Sequence, residues 1–293
     1  MSLVNKVTYP AWVNMAHFNQ ILNDELASKF RDKVIIITGA SEGIGRALAI
    51  ALASFDCQLV ITARNLERLN SLAAELTLLR HSPLVHVADV TQQEQCSGLI
   101  QACMSHFGRL DILINNAGMT MWSRFDELED LSVLSQIMQV NYLASAYLTH
   151  AAIPHLKLSQ GQIVAVASLA GMTGVPTRSG YAASKHAMIG FFDSLRIELA
   201  DDKVAVTLIC PDFVVSQIHK RALDEHGKPL GDTPMQESKI MTAEECAQMM
   251  LPAIAKRQRM LITSLRGRIG RWFKVIAPGL IDKIARRAIA SGR

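Results

Sequence analysis

Seven short apolar segments recur along the chain, and each is rich in β-branched residues without the alternation of a half-exposed strand. Continuous apolar runs of this kind predict strands that are covered by helices on both faces. The segments are VIIIT (34–38), QLVITA (58–63), LVHVA (84–88), DILIN (111–115), QIVAVA (162–167), VAVTLI (204–209) and MLIT (260–263).

Helical patterns such as RALAIALASF (46–55) and LERLNSLAAELTLL (66–79) separate these segments. The alternation of strand and helix predicts an α/β fold: a Rossmann-like, doubly wound, seven-stranded parallel sheet between two layers of helices. In such sheets ligands bind beyond the carboxyl ends of the strands. We therefore expect the functional residues directly after the strands.

One domain with terminal extensions is the simplest organisation for 293 residues that contain no linker or repeat in their middle. All seven strands fall within residues 33–263, which form the predicted Rossmann domain. Residues 1–32 form a predicted helical extension, and residues 264–293 a basic amphipathic tail. The N-terminal extension carries an apolar stripe at helical spacing, which consists of Met15, Phe18, Leu22, Leu26 and Phe30.

The net charge of +4 is unevenly distributed along the chain. Residues 256–293 carry eleven Lys and Arg against one Asp, a net charge of +10, so the remainder carries −6. This composition favours a helix that lies on an anionic membrane, although packing against a partner subunit explains it equally well. No aromatic-basic motif accompanies the tail, so we expect no nucleic-acid binding. The predicted apolar face of the helix in this C-terminal tail consists of Leu280, Ile281, Ile284 and Ala288.

Residues 131–156 contain no Asp, Glu, Lys or Arg. We interpret this stretch as a helix that is buried on two sides, by the sheet and by a partner subunit, and so expect a homo-oligomer, either a dimer or a tetramer. A membrane span is disfavoured by its polar residues and its proline. These are Gln136, Gln139, Asn141, His150 and Pro154.

The five cysteines show no CxxC spacing, and free thiols are expected. The nine histidines form no HExxH motif, so no metal site is predicted. The N-terminal sequence lacks the pattern of a secretory signal. A cytoplasmic location is expected, with peripheral contact to the inner membrane surface if the tail binds lipid.

The segment TGASEGIG (38–45) links the first strand to a helix. Glycines allow the backbone to approach a pyrophosphate, and the start of a helix supplies free N–H groups for it. A tight strand-to-helix turn would also explain the glycines, but strand, glycines and helix occur in the order that nucleotide binding requires. The predicted cofactor contacts are Gly39, Ser41, Gly43, Ile44 and Gly45.

Arg64 and Asn65 follow the second strand, at the place where a cofactor with a free 2′-hydroxyl normally meets an acidic residue. Arginine suits a 2′-phosphate instead. Glu42 in the glycine loop opposes this unless Arg64 neutralises it. The sequence therefore favours NADP(H) over NAD(H).

Polar and small residues also follow the third, fourth and fifth strands. Turn-forming side chains would explain each of them separately. Their shared position at strand ends makes them candidates for the same site: Asp89 and Val90, then Asn116, Ala117 and Gly118, then Ser168.

The pentapeptide YAASK places Tyr181 and Lys185 four residues apart. On a helix the two side chains lie one above the other, so the ammonium can stabilise the phenolate. Such a pair can exchange protons. For an isolated pair of this spacing, packing of the tyrosine and solvation of the lysine would be the commoner explanation.

Taken together, these motifs resemble those of the short-chain dehydrogenase/reductase family. The matching elements are TGASEGIG, Asp89, the NNAG sequence at 115–118, and the tetrad Asn141, Ser168, Tyr181 and Lys185. The resemblance covers residues 33–263 and implies a catalytic, nucleotide-binding oxidoreductase domain. The stretches VNYLASAYLTHAAIPHL and SGYAASKHAMIGFFDSLRIEL resemble the branch containing 11β-hydroxysteroid dehydrogenase type 1. The sequence from YAASKHA through IAPGL resembles still more the branch that includes acyl/alkyl-dihydroxyacetone-phosphate reductase.

The resemblance implies a role for each tetrad residue. Tyr181 is the general acid for ketone reduction, or the base for alcohol oxidation, and Lys185 assists it and binds the nicotinamide ribose. Ser168 donates a hydrogen bond to the substrate oxygen. Asn141 holds a water that replaces the spent proton.

The family pattern PGxVxT after the sixth strand corresponds here to Pro211, Val214 and Ser216, which the resemblance implies as cofactor contacts. Asp212 replaces the glycine of this pattern, and its effect on the nicotinamide site is open. Residues 213–241 are expected to form a lid that consists of a helix and a loop.

The expected substrate is a hydrophobic, lipid-like ketone or secondary alcohol. Four apolar residues after the fifth and sixth strands are candidate walls of the substrate pocket, although packing in the core would explain each of them equally well. The alternative function is a non-catalytic NAD(P)-binding scaffold or redox sensor. The candidate walls are Leu169, Met172, Val175 and Phe213.

Overall fold

The computed structural model describes residues 24–290, apart from the side chains of residues 239 and 288–290. It contains the seven predicted strands, each within one residue of its predicted bounds. The strands are β1 (Val34–Thr38), β2 (Gln58–Ala63), β3 (Leu84–Val87), β4 (Ile112–Asn115), β5 (Gln162–Val166), β6 (Ala205–Cys210) and β7 (Met260–Ile262).

The strands form one parallel sheet in the order β3-β2-β1-β4-β5-β6-β7. The chain starts at the centre, proceeds outward to β3 and then crosses to the other side of β1 at β4. The predicted Rossmann-like fold is therefore confirmed. The reversal between β1 and β4 is the switch point at which such sheets open a ligand crevice.

Helices cover both faces of the sheet. They are α1 (Gly43–Ala53), α2 (Leu66–Leu79), α3 (Gln93–Phe107), α4 (Ser132–Met138), α5 (Ala144–Ser159), α6 (Ser179–Glu198), α7 (Ala243–Ala255), α8 (Leu265–Ile276) and α9 (Pro278–Ala290). Alternate side chains of β1 enter the two separate cores: Ile35 packs with α1, α2 and α7, and Ile36 with α3, α5 and α6. Burial on both faces explains why the strands are continuously apolar.

The uncharged stretch forms three consecutive helical segments, since a π-helical turn at Gln139–Leu143 joins α4 to α5. The described helices include none with both the length and the hydropathy that a bilayer crossing requires. At the N-terminus, residues 24–30 are helical, and Leu26 and Phe30 of the predicted stripe are buried in the core. The other members of the stripe, Met15, Phe18 and Leu22, lie outside the described residues.

The helix expected within residues 213–241 is wrong, because up to residue 236 this segment consists of turns, bends and isolated bridges. Its backbone pairs with the segment after β4 and so cannot complete helical hydrogen bonds. Leu223 donates from its N–H to the Thr120 carbonyl at 3.0 Å, and its own carbonyl accepts from the Trp122 N–H at 2.8 Å. A short 3₁₀ turn follows at Glu237–Lys239.

A buried carboxylate joins the starts of the two central strands. Asp111, which is 2% exposed, accepts hydrogen bonds from the Val34 N–H at 3.0 Å, from Lys33 Nζ at 3.0 Å and from both Nε and Nη2 of Arg109 at 2.8 and 2.7 Å. Burial alone would raise the pKa of Asp111, but these hydrogen bonds outweigh it and lower the pKa. The carboxylate therefore stabilises the register of β1 and β4.

Replacing this carboxylate is expected to weaken the fold. Asp111→Ala removes charged hydrogen bonds and leaves the Val34 N–H without its acceptor, so we expect a loss of about 3 kcal/mol in the free energy of unfolding. Urea denaturation measures it. Asp126→Ala, which breaks an exposed pair with Arg124, is the matched control and should leave stability nearly unchanged. Equal stability of the two variants would contradict the role of Asp111.

Candidate active site

A cavity of about 1160 Å³ opens at the carboxyl edge of the sheet. It is larger than the roughly 300–1,000 Å³ of a typical drug-sized ligand pocket. Except for Gly45, every predicted cofactor residue lines it: Gly39, Ser41, Gly43, Ile44, Arg64, Asn65, Asp89, Val90, Asn116, Ala117, Gly118, Tyr181, Lys185, Pro211, Val214 and Ser216. Ser168 also lines the cavity, whereas Asn141 lies behind it and is fully buried.

The glycine loop has the geometry of an anion cradle. Gly39 and Gly43 adopt positive φ angles of 63° and 54°, and a Cβ at Gly39 would lie 2.9 Å from the Ala117 Cα. Glu42, the residue before α1, makes no side-chain cap, so the first N–H groups of α1 remain available to a ligand. Gly45 serves packing instead, since its Cβ would meet the Gly39 carbonyl at 2.4 Å. The loop therefore fits a pyrophosphate.

Hydrogen bonds from Thr38 tie the glycine loop to the segment after β4. The Thr38 hydroxyl accepts from the N–H groups of Asn116 and Ala117 at 2.9 and 3.0 Å and contacts the Ile114 carbonyl at 3.2 Å. The Asn116 side chain donates back to the carbonyls of Thr38 and Gly39. These bonds hold two strand ends at a fixed separation.

Asn141 lies in the π-helical turn and holds the same segment from the opposite side. Its Oδ1 accepts from the Met119 N–H at 2.8 Å, and its Nδ2 donates to the Met119 carbonyl at 3.0 Å and to Ser184 Oγ at 2.8 Å. Ser184 in turn donates to the Tyr181 carbonyl. The side chain thus joins the β4 segment to α6, and its part in a proton relay stays a prediction.

Tyr181 and Lys185 lie on one face of α6 and both line the cavity. Lys185 Nζ is 5.8 Å from the centroid of the Tyr181 ring and donates to the Val166 carbonyl at 2.9 Å. Burial lowers the pKa of Lys185, while the neighbouring Tyr181 acts in the opposite direction. The remaining ammonium protons can serve a ribose hydroxyl.

Ser168 begins the 3₁₀ turn Leu169–Gly171, and its Oγ accepts from the Ala170 N–H at 3.1 Å. This bond uses an oxygen lone pair and leaves the hydroxyl proton for another acceptor. Because Ser168 lines the cavity, that acceptor can be a substrate oxygen.

Asp212 is bound by the C-terminal extension. Its carboxylate accepts from Arg266 Nε and Nη2 at 2.6 and 2.8 Å and from Ser264 Oγ at 2.6 Å. Burial alone would raise the pKa of Asp212, but these donors lower it. Asp212 is not among the non-glycine residues with positive φ in the described chain, so its backbone does not require the glycine that it replaces.

Two arginines that the sequence did not single out pair with Glu42. Arg68 Nη1 lies 2.6 Å from Glu42 Oε2, and Arg221 contacts Oε1. These two arginines, and not Arg64, neutralise Glu42, and Arg64 forms no ion pair with any residue between 24 and 290. Asn65 accepts from the Arg68 N–H and so caps α2, which positions Arg68 by a local signal that the sequence does contain.

Two further buried residues line the cavity without having been predicted, Arg178 and His219. Arg178 lies three residues before Tyr181, which is one helical turn, and this spacing was the available signal. Burial first, and the Arg178 charge second, lower the pKa of His219 to about 4. His219 is therefore neutral near pH 7. The described residues contain no cluster of three or more His, Cys, Asp or Glu that could hold a metal.

A family model described as short chain dehydrogenase matches residues 33–227, the part of the chain that holds the glycine loop and the tetrad. The chain belongs to the short-chain dehydrogenase/reductase family. Members of this family are oxidoreductases that bind NAD(P), so the chain is an NAD(P)-binding dehydrogenase or reductase.

Individual members of the short-chain dehydrogenase/reductase family agree with this assignment. The 11-beta-hydroxysteroid dehydrogenase-like 4A of Arabidopsis thaliana is 37% identical over 263 residues, which cover 87% of this chain and 84% of that protein. This similarity is consistent with the resemblance to the branch containing 11β-hydroxysteroid dehydrogenase type 1.

Solved structures of the family share the fold. A short-chain dehydrogenase/reductase from Burkholderia phymatum in complex with NAD has a TM-score of 0.77 and 25% identity, over 86% of this chain and 96% of that one. An alcohol dehydrogenase from Thermococcus sibiricus complexed with 5-hydroxy-NADP has a TM-score of 0.68 and 26% identity, over 79% and 96%. A cofactor without a 2′-phosphate and one of the NADP type thus both occur in these solved structures.

Proposed function

We propose that the protein is an NADP(H)-dependent oxidoreductase that interconverts a hydrophobic, lipid-like ketone and the corresponding secondary alcohol. The observation that carries this proposal is that Tyr181, Lys185 and Ser168 line the same cavity as the glycine loop. NADP(H), when bound, supplies or accepts the hydride at the carbonyl carbon. The side chains around it handle the proton and the oxygen.

In the direction of reduction, the Ser168 hydroxyl donates to the carbonyl oxygen and orients it. Tyr181 transfers its hydroxyl proton to that oxygen, which carries the negative charge after the carbonyl carbon has received the hydride. The ammonium of Lys185 stabilises the phenolate that remains, and a proton from solvent restores the tyrosine. Oxidation of the alcohol follows the same path in reverse, with the phenolate as base.

The preference for NADP(H) is supported by the charges around the second strand. Arg64 is exposed at the cavity wall and has no acidic partner among the described residues. The Glu42 carboxylate is already neutralised by Arg68 and Arg221. A 2′-phosphate would therefore meet an available guanidinium, and the negative charge beside it is compensated.

The hydrophobic substrate is supported by the wall of the cavity beyond Tyr181, which includes Leu169, Val175, Phe213 and Leu223. Met172, the other expected wall residue, packs instead against the core of α3, α5 and α6. Its carbonyl accepts a hydrogen bond from Lys274 of α8 at 2.6 Å.

We further propose a cytoplasmic homo-oligomer, a dimer or tetramer. The surface of α5 supports it, because between residues 144 and 156 it carries no Asp, Glu, Lys or Arg and keeps apolar side chains such as Tyr147 and Ile153 only partly buried. Charge depletion with aromatic enrichment is typical of interface cores.

The C-terminal helices support peripheral contact with an anionic membrane. On α8, apolar side chains at helical spacing are exposed: Ile269, Trp272, Phe273 and Ile276 at 48, 63, 43 and 78%. Basic residues of the same helix, such as Arg268 and Lys274, provide charge complementarity to acidic lipids. α8 also packs beside Leu169, which a Cβ at Gly267 would approach to 2.9 Å, so the lipid surface would lie near the substrate end of the cavity.

Tyr181→Phe tests the catalytic assignment. The variant retains the ring but has no proton to transfer, so we expect kcat for carbonyl reduction to fall about 1000-fold, while the Kd for NADPH changes by less than about threefold. Steady-state NADPH absorbance and fluorescence titration measure the two quantities. Tyr147→Phe, outside the cavity, is the control. Unchanged turnover in Tyr181→Phe would refute the assignment of Tyr181 as the acid and base, whereas absence of turnover in the wild type would favour the non-catalytic scaffold.

Arg64→Ala tests the cofactor preference. Loss of a charged contact to the 2′-phosphate is expected to weaken NADPH binding about 10- to 100-fold and to leave NADH binding nearly unchanged. Fluorescence titration with both cofactors measures the ratio. Arg80→Ala, an arginine that contacts Asp56 away from the cavity, should alter neither affinity. An equal loss for both cofactors, or none, would refute the assigned role of Arg64.

The double variant Trp272→Glu/Ile276→Glu in the full chain tests membrane contact. We expect at least about tenfold weaker co-sedimentation with vesicles of phosphatidylcholine and phosphatidylserine, because two apolar anchors become charged. Leu78→Glu, at an exposed site on α2, should bind as the wild type does. If the double variant binds vesicles normally but changes its oligomeric mass, the face instead contacts a partner subunit.

A further inference from the structure

A buried arginine lies directly against the general acid. Arg178, which is 4% exposed, lines the cavity, and its guanidinium carbon lies 4.3 Å from the centroid of the Tyr181 ring. The same group faces the rings of Trp122 and Phe213, each at 5.6 Å. Three aromatic rings therefore fix a cation at the substrate end of the site.

No described residue supplies a negative charge to this cation. Its described hydrogen-bonding neighbours are neutral: Nε and Nη2 donate to Thr120 Oγ1 at 3.2 and 2.8 Å, and the Tyr181 hydroxyl lies close by. A guanidinium has five N–H donors, so most of the fork remains available. Burial lowers the pKa of Arg178, and the nearby Tyr181 acts in the opposite direction. Buried charges are ordinarily paired, and the missing partner has to come from a ligand.

The backbone before Arg178 is held in an unfavourable conformation. Thr177 has a φ of 64°, which is a real outlier for a β-branched residue. Its carbonyl accepts from the Ser123 N–H at 2.9 Å, a bond that fixes the strained turn. Strain of this kind persists where the surrounding structure requires it and is concentrated at ligand-binding sites. Here it aims Arg178 into the cavity.

We propose that Arg178 binds a carboxylate of the substrate, so that the ketone of the proposed reaction is a hydrophobic oxo acid and the alcohol a hydroxy acid. This inference rests on the proposed function. A carboxylate on the guanidinium fork lies about 2.9 Å from its nitrogens, and the fork lies against the Tyr181 ring. The carboxylate therefore lies close to the carbonyl whose oxygen Tyr181 protonates, as it does in a 2-oxo acid.

A carboxylate matches this site better than a phosphate monoester. Its single charge and planar pair of oxygens fit one guanidinium in a bidentate arrangement. A phosphate monoester carries about −1.5 to −2 charges, and the other cations nearby are occupied or absent. Lys185 is bound to the Val166 carbonyl, and His219 is neutral.

Substrate discrimination by Arg178→Met provides the kinetic test. We expect wild-type kcat/KM for 2-oxooctanoate to exceed that for 2-octanone, and the variant to lose about 100-fold for the oxo acid but less than about threefold for the ketone. Arg178→Lys, which retains the charge without the fork, should lose an intermediate amount and guards against misfolding of the first variant. Arg124→Met, at an exposed arginine, is the control. An equal loss for both compounds would overturn the proposal, because Arg178 would then act on Tyr181.

Binding to the NADP⁺ complex distinguishes this inference from the proposed function. By calorimetry, octanoate should bind at least about tenfold more tightly than octanamide to the wild type, and equally to Arg178→Met. No preference for octanoate, or tighter binding of octyl phosphate, would overturn the carboxylate assignment whether or not any carbonyl is reduced. A preference for octanoate together with a failure to reduce any carbonyl would refute the proposed function alone.

Discussion

The active site depends on a small set of hydrogen bonds that hold the ends of β1 and β4 together. Parallel strands provide no ladder partners for the backbone once the strands end, so the irregular segment after β4 has to be held by side chains. Thr38 and Asn116 hold it from the side of the glycine loop, and Asn141 holds it from the side of α6. Asn141 also reaches Ser184. The cradle for the phosphates and the helix that carries Tyr181 are thereby fixed to one another.

This scaffold allows two cations to be buried beside one phenol. Lys185 and Arg178 are 3 and 4% exposed, and burial lowers the pKa of both. The Val166 carbonyl partly compensates the buried charge of Lys185, and Thr120 together with three aromatic rings partly compensates that of Arg178. Neither arrangement supplies a full negative charge. The phenolate that forms on proton transfer supplies one to Lys185, and the proposed substrate carboxylate supplies one to Arg178, so the same burial that destabilises the resting site favours the charge distribution of the reaction.

The fold and most of this site follow from local sequence patterns. Apolar runs identified all seven strands, the order of strand, glycines and helix identified the phosphate cradle, and the four-residue spacing in YAASK placed Tyr181 against Lys185. What the sequence missed depends on partners that are distant along the chain. Arg178 acquires its environment from Thr120, and Arg221 pairs with Glu42 across the cofactor cleft. The expected lid helix failed for the same reason, because residues 120–122 compete for its backbone hydrogen bonds.

Asp212, which replaces the glycine of the family pattern, connects the C-terminal extension to the cavity wall. Asp212 lines the cavity and pairs with Arg266 in the first turn of α8. Ser264 donates to Asp212 and also caps α8 by accepting from the Gly267 N–H. The start of the C-terminal extension is thus bonded to the wall of the site. A short, partly buried ion pair therefore connects α8 to Asp212. If the proposed membrane contact of the exposed apolar face of α8 occurs, it therefore takes place on a helix that is bonded directly to the cavity wall, and it brings the cavity close to an apolar substrate.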